Sequence, residues 1–371
     1  MKRFLPPLLS LLFASPLLAR EIWTTEQAND WGKKQPWLVG ANFTPASAIN
    51  QLEMWQAETF DTAGIDRELG LAESLGMNTM RVFLHDLLWQ QDAKAFQHRI
   101  GQFLDLCAKH KIRPMLVLFD SCWDPAPKLG KQREPKPGVH NSGWVQSPGA
   151  AALQDAAQWP RLKAYTQGII AAFKDDTRIL AWDIVNEPDN ANDNSYGRNH
   201  LKLEPANKSE LGIKLVKEAL QWALEANPIQ PITSAPWLGE WKDVNKMNDM
   251  DRHLFTHSDI ITFHNYGPPD DFERRIQALQ QFKRPIICTE YMARPVNSTF
   301  EGSLPLGKKY NVGMINWGFV AGKTNTIHPW KTWQEPTKGP EPEVWFHDIF
   351  RADGTPYRKE EVALIRQLTG K

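Results

Sequence analysis

Short apolar runs alternate with longer amphipathic stretches along most of this chain. The runs cover residues 37–42, 79–84, 113–120, 179–186, 231–237, 260–266, 285–291 and 312–319. Between them, helix-like periodicity appears at 65–75, 96–109, 159–174, 209–226 and 270–281, with a last stretch near 359–368. Ser209, with acidic residues nearby, offers an N-cap for the fourth of these. A strand that is apolar without interruption is buried on both faces, which points to a parallel sheet covered by helices. Eight such strands, each followed by a crossover, predict an α/β protein with a (β/α)8 TIM barrel. A doubly wound open sheet is the competitor. It usually has fewer strands, and no Gly-x-Gly-x-x-Gly follows the first run.

Two connections are too long for plain crossovers. Residues 121–158 follow the third run and contain Trp123 and Trp144; residues 321–346 follow the eighth and contain Trp330, Trp333 and Trp345. Loops after barrel strands lie at the C-terminal face, where ligands bind, so both are expected to be lids or subsite walls. No repeat, low-complexity tract or linker divides the chain, and residues 20–371 read as one domain. The first nineteen residues read differently. Lys2 and Arg3 precede an apolar run broken only by Pro and Ser, and Ala19 stands before Arg20. This is the pattern of a signal peptide over 1–19. The run is shorter than the roughly 20 residues a membrane span needs. A protein exported to the periplasm or the exterior, without stable membrane insertion, is the expectation.

Composition removes some partners and adds one. Forty-three basic residues balance forty-three acidic ones, so no electrostatic footprint for nucleic acid exists. Sixteen tryptophans against six tyrosines exceed what a core demands and call for stacking surfaces. Cys107, Cys122 and Cys288 allow one pair at most and read as small buried hydrophobes.

The chemistry sits where apolar strands end in polar groups. The fourth run ends in Asn186 and Glu187, and the seventh in Glu290. Alternation along a strand sets Ile286, Cys288 and Glu290 on one face, which aims Glu290 into the barrel mouth if that face is the interior. Asn186 and Glu187 must both be presented, so a local bulge is expected there. Two carboxyls facing each other across a mouth suit glycoside hydrolysis, one protonating the leaving oxygen and the other attacking the anomeric carbon or activating water.

The segment Trp182-Asp183-Ile184-Val185-Asn186-Glu187-Pro188 resembles the acid/base strand of the clan A retaining glycoside hydrolases. The chain is most similar to family 5 of that clan, the cellulase-like family, over about residues 37–320. The resemblance implies Glu187 as acid/base, Asn186 as ligand of the sugar 2-hydroxyl, and Glu290 in Cys-Thr-Glu-Tyr as nucleophile. It further implies Arg81 beside the nucleophile, His264 and Tyr266 as the clan's His-x-Tyr, and Trp317 as a sugar platform. Cationic Arg81 is expected to lower the pKa of Glu290. One departure stands out: the family commonly has a histidine near the end of strand three or in the loop that follows, whereas here that strand ends Leu118-Phe119-Asp120, with Asp120 or Asp124 in the neighbourhood. Trp55, Trp89 and Trp237 are further subsite candidates.

These readings converge on a retaining β-glycosidase acting on a β-glycan, endo-acting in the manner of many family members, with no cofactor. An exo-acting enzyme with a loop-closed pocket is the alternative. Two other classes compete. A metal-dependent barrel hydrolase would use His85, Asp86, His257 and His264, but the first strand lacks the His-x-His such sites take. A carbohydrate-binding barrel without catalysis would have no need of both carboxyls.

Overall fold

The computed structural model describes residues 19–192, 204–237, 239–243 and 245–371, so the expected signal peptide lies outside the described residues except for Ala19. All eight expected strands form: β1 (Val39–Asn42), β2 (Thr79–Phe83), β3 (Met115–Asp120), β4 (Ala181–Asn186), β5 (Ile232–Thr233), β6 (Ile261–His264), β7 (Ile286–Glu290) and β8 (Gly313–Asn316). Every pairing is parallel, in the order β5-β4-β3-β2-β1-β8-β7-β6. The seam between β5 and β6 is bridged locally. Thr233 Oγ1 lies 2.7 Å from Thr262 Oγ1, and the Asp259 amide donates to the Ile232 carbonyl at 2.9 Å. With helices outside the strands, this is a (β/α)8 TIM barrel. The fifth strand is far shorter than its apolar run, because Pro231 and Pro236 flank it and neither has an N–H for the ladder.

Helices differ from their periodicity mainly at the ends. The helix after β2, Asp86–Lys109, starts ten residues before its expected position because His85 caps it, Nδ1 accepting from the Leu87 amide at 3.2 Å. A break at Asp92 (φ −160°, ψ 96°) hides the continuity from a periodicity reading. The helix Phe300–Tyr310 between β7 and β8 was not expected at all, since Gly302, Pro305 and Gly307 interrupt it. Thr299 starts it by accepting from the Gly302 amide at 3.1 Å. Gly307 then lets it settle on β8: a Cβ at that position would stand 2.4 Å from the Met314 side chain.

The two long loops lie on each other. The Asn141 amide donates to the Thr324 carbonyl at 2.9 Å, the Thr337 amide to the Gly138 carbonyl at 3.0 Å, and Trp123 stacks on Trp333 with centroids 5.8 Å apart. Cys107, Cys122 and Cys288 are all buried free thiols. No described helix is long and apolar enough to cross a membrane.

Candidate active site

Arg81, fully buried on β2, organises the barrel mouth. Its Nε donates to Asp183 Oδ2 at 2.9 Å, Nη1 to Asn42 Oδ1 at 2.9 Å and to Glu290 Oε1 at 2.8 Å, and Nη2 to Asn186 Oδ1 at 2.6 Å. Burial works against its charge, but Asp183 and Glu290 outweigh that and hold the guanidinium firmly protonated.

Simple alternation does not bring the carboxyls here. Ile286 and Cys288 pack in the core shared with the surrounding helices, while Ile287 packs with Met115, Ala181 and Ile315 in a separate cluster. Ile287 pairs with Thr262 and Gly313, and Cys288 with Phe263 and Met314. The face that Ile286 and Cys288 share is therefore the outer one, and strict alternation would turn Glu290 away from the mouth. A bulge corrects this. The β6–β7 register slips between Phe263 and His264, so that His264 pairs with Glu290 and Thr289 becomes the extra residue. The anticipated irregularity on β4 is present too. Asp183 and Asn186 both touch Arg81 despite an odd spacing, and Glu187 adopts a left-handed backbone (φ 48°) that a residue with a Cβ seldom takes.

The two carboxyls are held quite differently. Tyr266 Oη donates to Glu290 Oε2 at 2.8 Å, opposite the Arg81 bond to Oε1. Glu187 Oε1 lies 2.6 Å from His264 Nδ1, and its Oε2 accepts from Asn190 Nδ2 at 2.8 Å and from the Cys122 thiol at 3.0 Å. His264 Nδ1 is also 3.6 Å from Glu290 Oε2. Burial pushes the Glu187 carboxyl up to about 7. It pushes the His264 imidazole down to about 4, which leaves the ring neutral. The expected lowering of Glu290 does not occur. Burial raises its pKa, the Glu187 charge adds to that, and Arg81 with the Tyr266 hydroxyl only offsets part of the rise.

Above this cluster opens a cleft of roughly 710 Å³, lined among others by Asp120, Trp144, Trp237, Tyr266, Trp317 and Trp330. Trp317 packs edge-on against Phe83 and Trp144, at 5.9 Å from each. At the end of β3, Asp120 accepts from Trp144 Nε1 at 2.6 Å and from Asn186 Nδ2 at 2.9 Å. Asp124 turns instead to Arg133 at 3.1 Å. Two tryptophan candidates fail. Trp55 is sealed in the core, its indole N–H donating to the Phe83 carbonyl at 2.8 Å, and Trp89 packs on Tyr165 in the helical layer. Trp345 stacks on Tyr357 away from the cleft.

No protein-family model and no curated protein matches this sequence. Solved structures do. An exo-β-1,4-mannosidase from Opitutaceae bacterium strain TAV5 aligns at 18% identity over 90% of this chain, with a TM-score of 0.58. This chain spans 60% of that protein's length. An endo-1,4-β-D-mannanase from Thermotoga petrophila RKU-1 aligns at 15% identity over 90% of this chain and 99% of its own, TM-score 0.54. A variant of a glycoside hydrolase family 5 mannosidase from Rhizomucor miehei aligns at 14% identity over 94% and 96%, TM-score 0.53. The fold is that of the family 5 glycoside hydrolases.

On this barrel the seven residues singled out by sequence come together: Arg81, Asn186, Glu187, His264, Tyr266, Glu290 and Trp317. The set considered for a metal does not. Among the described residues, one trio brings ligating atoms within 4.8 Å of one another: Glu187, His264 and Glu290. His85 and Asp86 instead begin a helix, with Asp86 bound to Arg161 at 2.7 Å, and His257 is exposed beside His253. Sequence reasoning missed Asn42, Asp183, Cys122, Asn190 and His140. Asp183 had a signal, a charge inside an apolar strand; Cys122, Asn190 and His140 sit in loops where periodicity carries no information.

Proposed function

We propose that this protein is a retaining β-glycosidase of glycoside hydrolase family 5, with Glu290 as nucleophile and Glu187 as acid/base. The observation that carries the reading is the approach of the two carboxyls, with an oxygen of each within 4.8 Å of the other. Retaining enzymes hold the pair at about 5 Å, whereas inverting ones leave about 6.5–9.5 Å for a water. Glu290 attacks the anomeric carbon through a carboxylate oxygen. The bond to the leaving sugar breaks with its electron pair on the glycosidic oxygen, which takes the Glu187 proton. Glu187, now ionised, removes a proton from water; the water oxygen attacks the anomeric carbon and displaces Glu290. A carboxyl at about 7 retains a proton to give at neutral pH and can take one back, as both halves require. Two hydrogen-bond donors, Arg81 and Tyr266, keep Glu290 aimed and support its ionised form. Trp317 offers a flat apolar face to a pyranose ring.

The neighbours named as mannanases and mannosidases make β-mannosides the first substrates to try. The stitched loops beside the cleft support an exo mode, since a walled pocket admits a chain end more readily than a chain middle. Export by the N-terminal signal segment belongs to the same proposal, because polymeric glycans lie outside the cell.

Aryl β-glycosides and β-mannan, β-glucan and xylan test the reading. Glu290→Gln is expected to abolish turnover. Glu187→Ala is expected to lose about 10²–10⁴-fold on natural linkages and much less on aryl glycosides with good leaving groups. Wild-type turnover by Glu290→Gln would refute the nucleophile. Release of one small sugar supports the exo mode; a ladder of oligosaccharides supports the endo mode.

A further inference from the structure

His140 comes from the loop after β3 and lines the same cleft as Glu187 and Glu290. Its ring is fixed from several sides. Nδ1 lies 2.7 Å from the His328 carbonyl oxygen, and the His140 amide donates to Thr332 Oγ1 at 2.9 Å. The ring also packs against Trp123, His347 and Phe346, with centroids 5.3, 5.4 and 6.1 Å away. A carbonyl oxygen only accepts, so Nδ1 must carry the hydrogen, and Nε2 is left as a lone-pair acceptor. Burial, only partly offset by the hydrogen bond to the His328 carbonyl, holds this imidazole down to about 3, so the ring is neutral at ordinary pH and the carbonyl fixes its tautomer. Few other groups in the cleft have that character. The amides of Asn186 and Asn190 both donate and accept, and Asp120 already receives Trp144, Asn186 and the Cys122 amide.

We propose that His140 determines specificity by accepting, through Nε2, a hydrogen bond from one hydroxyl of the bound glycoside. The proposal rests on the glycosidase reading and refines it. A rigid neutral acceptor favours a hydroxyl that can point a proton at it and disfavours a sugar that lacks that hydroxyl, since the ring nitrogen is then left without a partner in a desolvated site. The wall formed by the two long loops thereby reads the sugar as well as enclosing it.

His140→Asn separates this role from packing. The asparagine Nδ2 takes the position of Nδ1 and keeps the bond to His328, while the Nε2 acceptor is removed. His140→Gln carries its amide oxygen out to the Nε2 position. Wild type and both variants are assayed on the aryl β-glycoside that the wild type hydrolyses best and on its 2-, 3-, 4- and 6-deoxy forms, with thermal unfolding as a check on folding. The expected result is a loss of about tenfold in kcat/KM for His140→Asn on the parent glycoside. At one deoxy position the wild type should lose a similar factor and His140→Asn nothing further, with His140→Gln recovering part of the discrimination. Losses that multiply independently at every position would reduce His140 to packing and overturn the proposal. A wild type that hydrolyses no glycoside at all would defeat the glycosidase reading itself, and this proposal with it.

Discussion

In the proposed mechanism, Glu187 sets the pH response at the scale of single residues. Its raised carboxyl must be protonated to act as an acid, so kcat/KM is expected to fall as pH rises beyond about 7. The alkaline limb should disappear in Glu187→Gln assayed with an activated leaving group. Stability carries the same sign. The folded state holds this proton more tightly than the unfolded chain, so the contribution is present in full below pH 4.5 and is lost as pH climbs through about 7. Melting temperatures of Glu187→Gln should therefore gain on wild type between pH 5 and pH 8; a constant difference would contradict the burial of an ionisable group here. Asp183 is the matching case on the other side of Arg81. Asp183→Ala leaves a fully buried guanidinium short of a counter-charge and is expected to cost about 3–5 kcal/mol, measurable by denaturant unfolding. Glu187 and Glu290 were legible because strand-end carboxyls in apolar runs are conspicuous. Cys122 and Asn190 were not, because a loop gives no rule for which side chain returns to the strand it left.

Elements show a similar division. Strand positions were readable throughout, since a strand buried on both faces can be built from little but apolar residues. Facing was not. The bulge at Thr289 exists in the pairing of β7 with β6, and nothing within residues 285–291 announces it. The helix Phe300–Tyr310 was hidden for a related reason: its glycines and proline speak against a helix locally, while its fit against β8 requires the missing side chain. Gly307→Val should force Met314 out of place and destabilise by about 1–3 kcal/mol, read as a lower unfolding midpoint. An unchanged midpoint would mean that this helix does not bear on β8.

At the scale of the whole molecule, the C-terminal segment braces the cleft wall. Arg294, after β7, makes a two-pronged pair with Glu361 of the last helix, Lys359–Thr369, at 2.6 and 2.7 Å. The same guanidinium donates to the Trp345 and Asp348 carbonyls, both at 3.0 Å, so it ties that helix to the end of the loop bearing Trp330. Glu361→Gln would leave a buried cation without its partner, and a loss on the order of 3–5 kcal/mol is expected in unfolding experiments. Activity should fall already below the melting temperature as the wall loosens, and unchanged kinetics up to melting would break that link.

The sequence by itself determined the number of strands, their order along the chain, the barrel class and the two strand ends that carry glutamates. These follow from burial and period, which are local properties of a segment. Only the tertiary structure decided which way Glu290 points, which groups hold Glu187, and that His140 is the residue of the loop after β3 whose ring is fixed at the cleft by the loop after β8. Those depend on register between strands and on contacts between segments far apart in the chain, and no local pattern of residues encodes them.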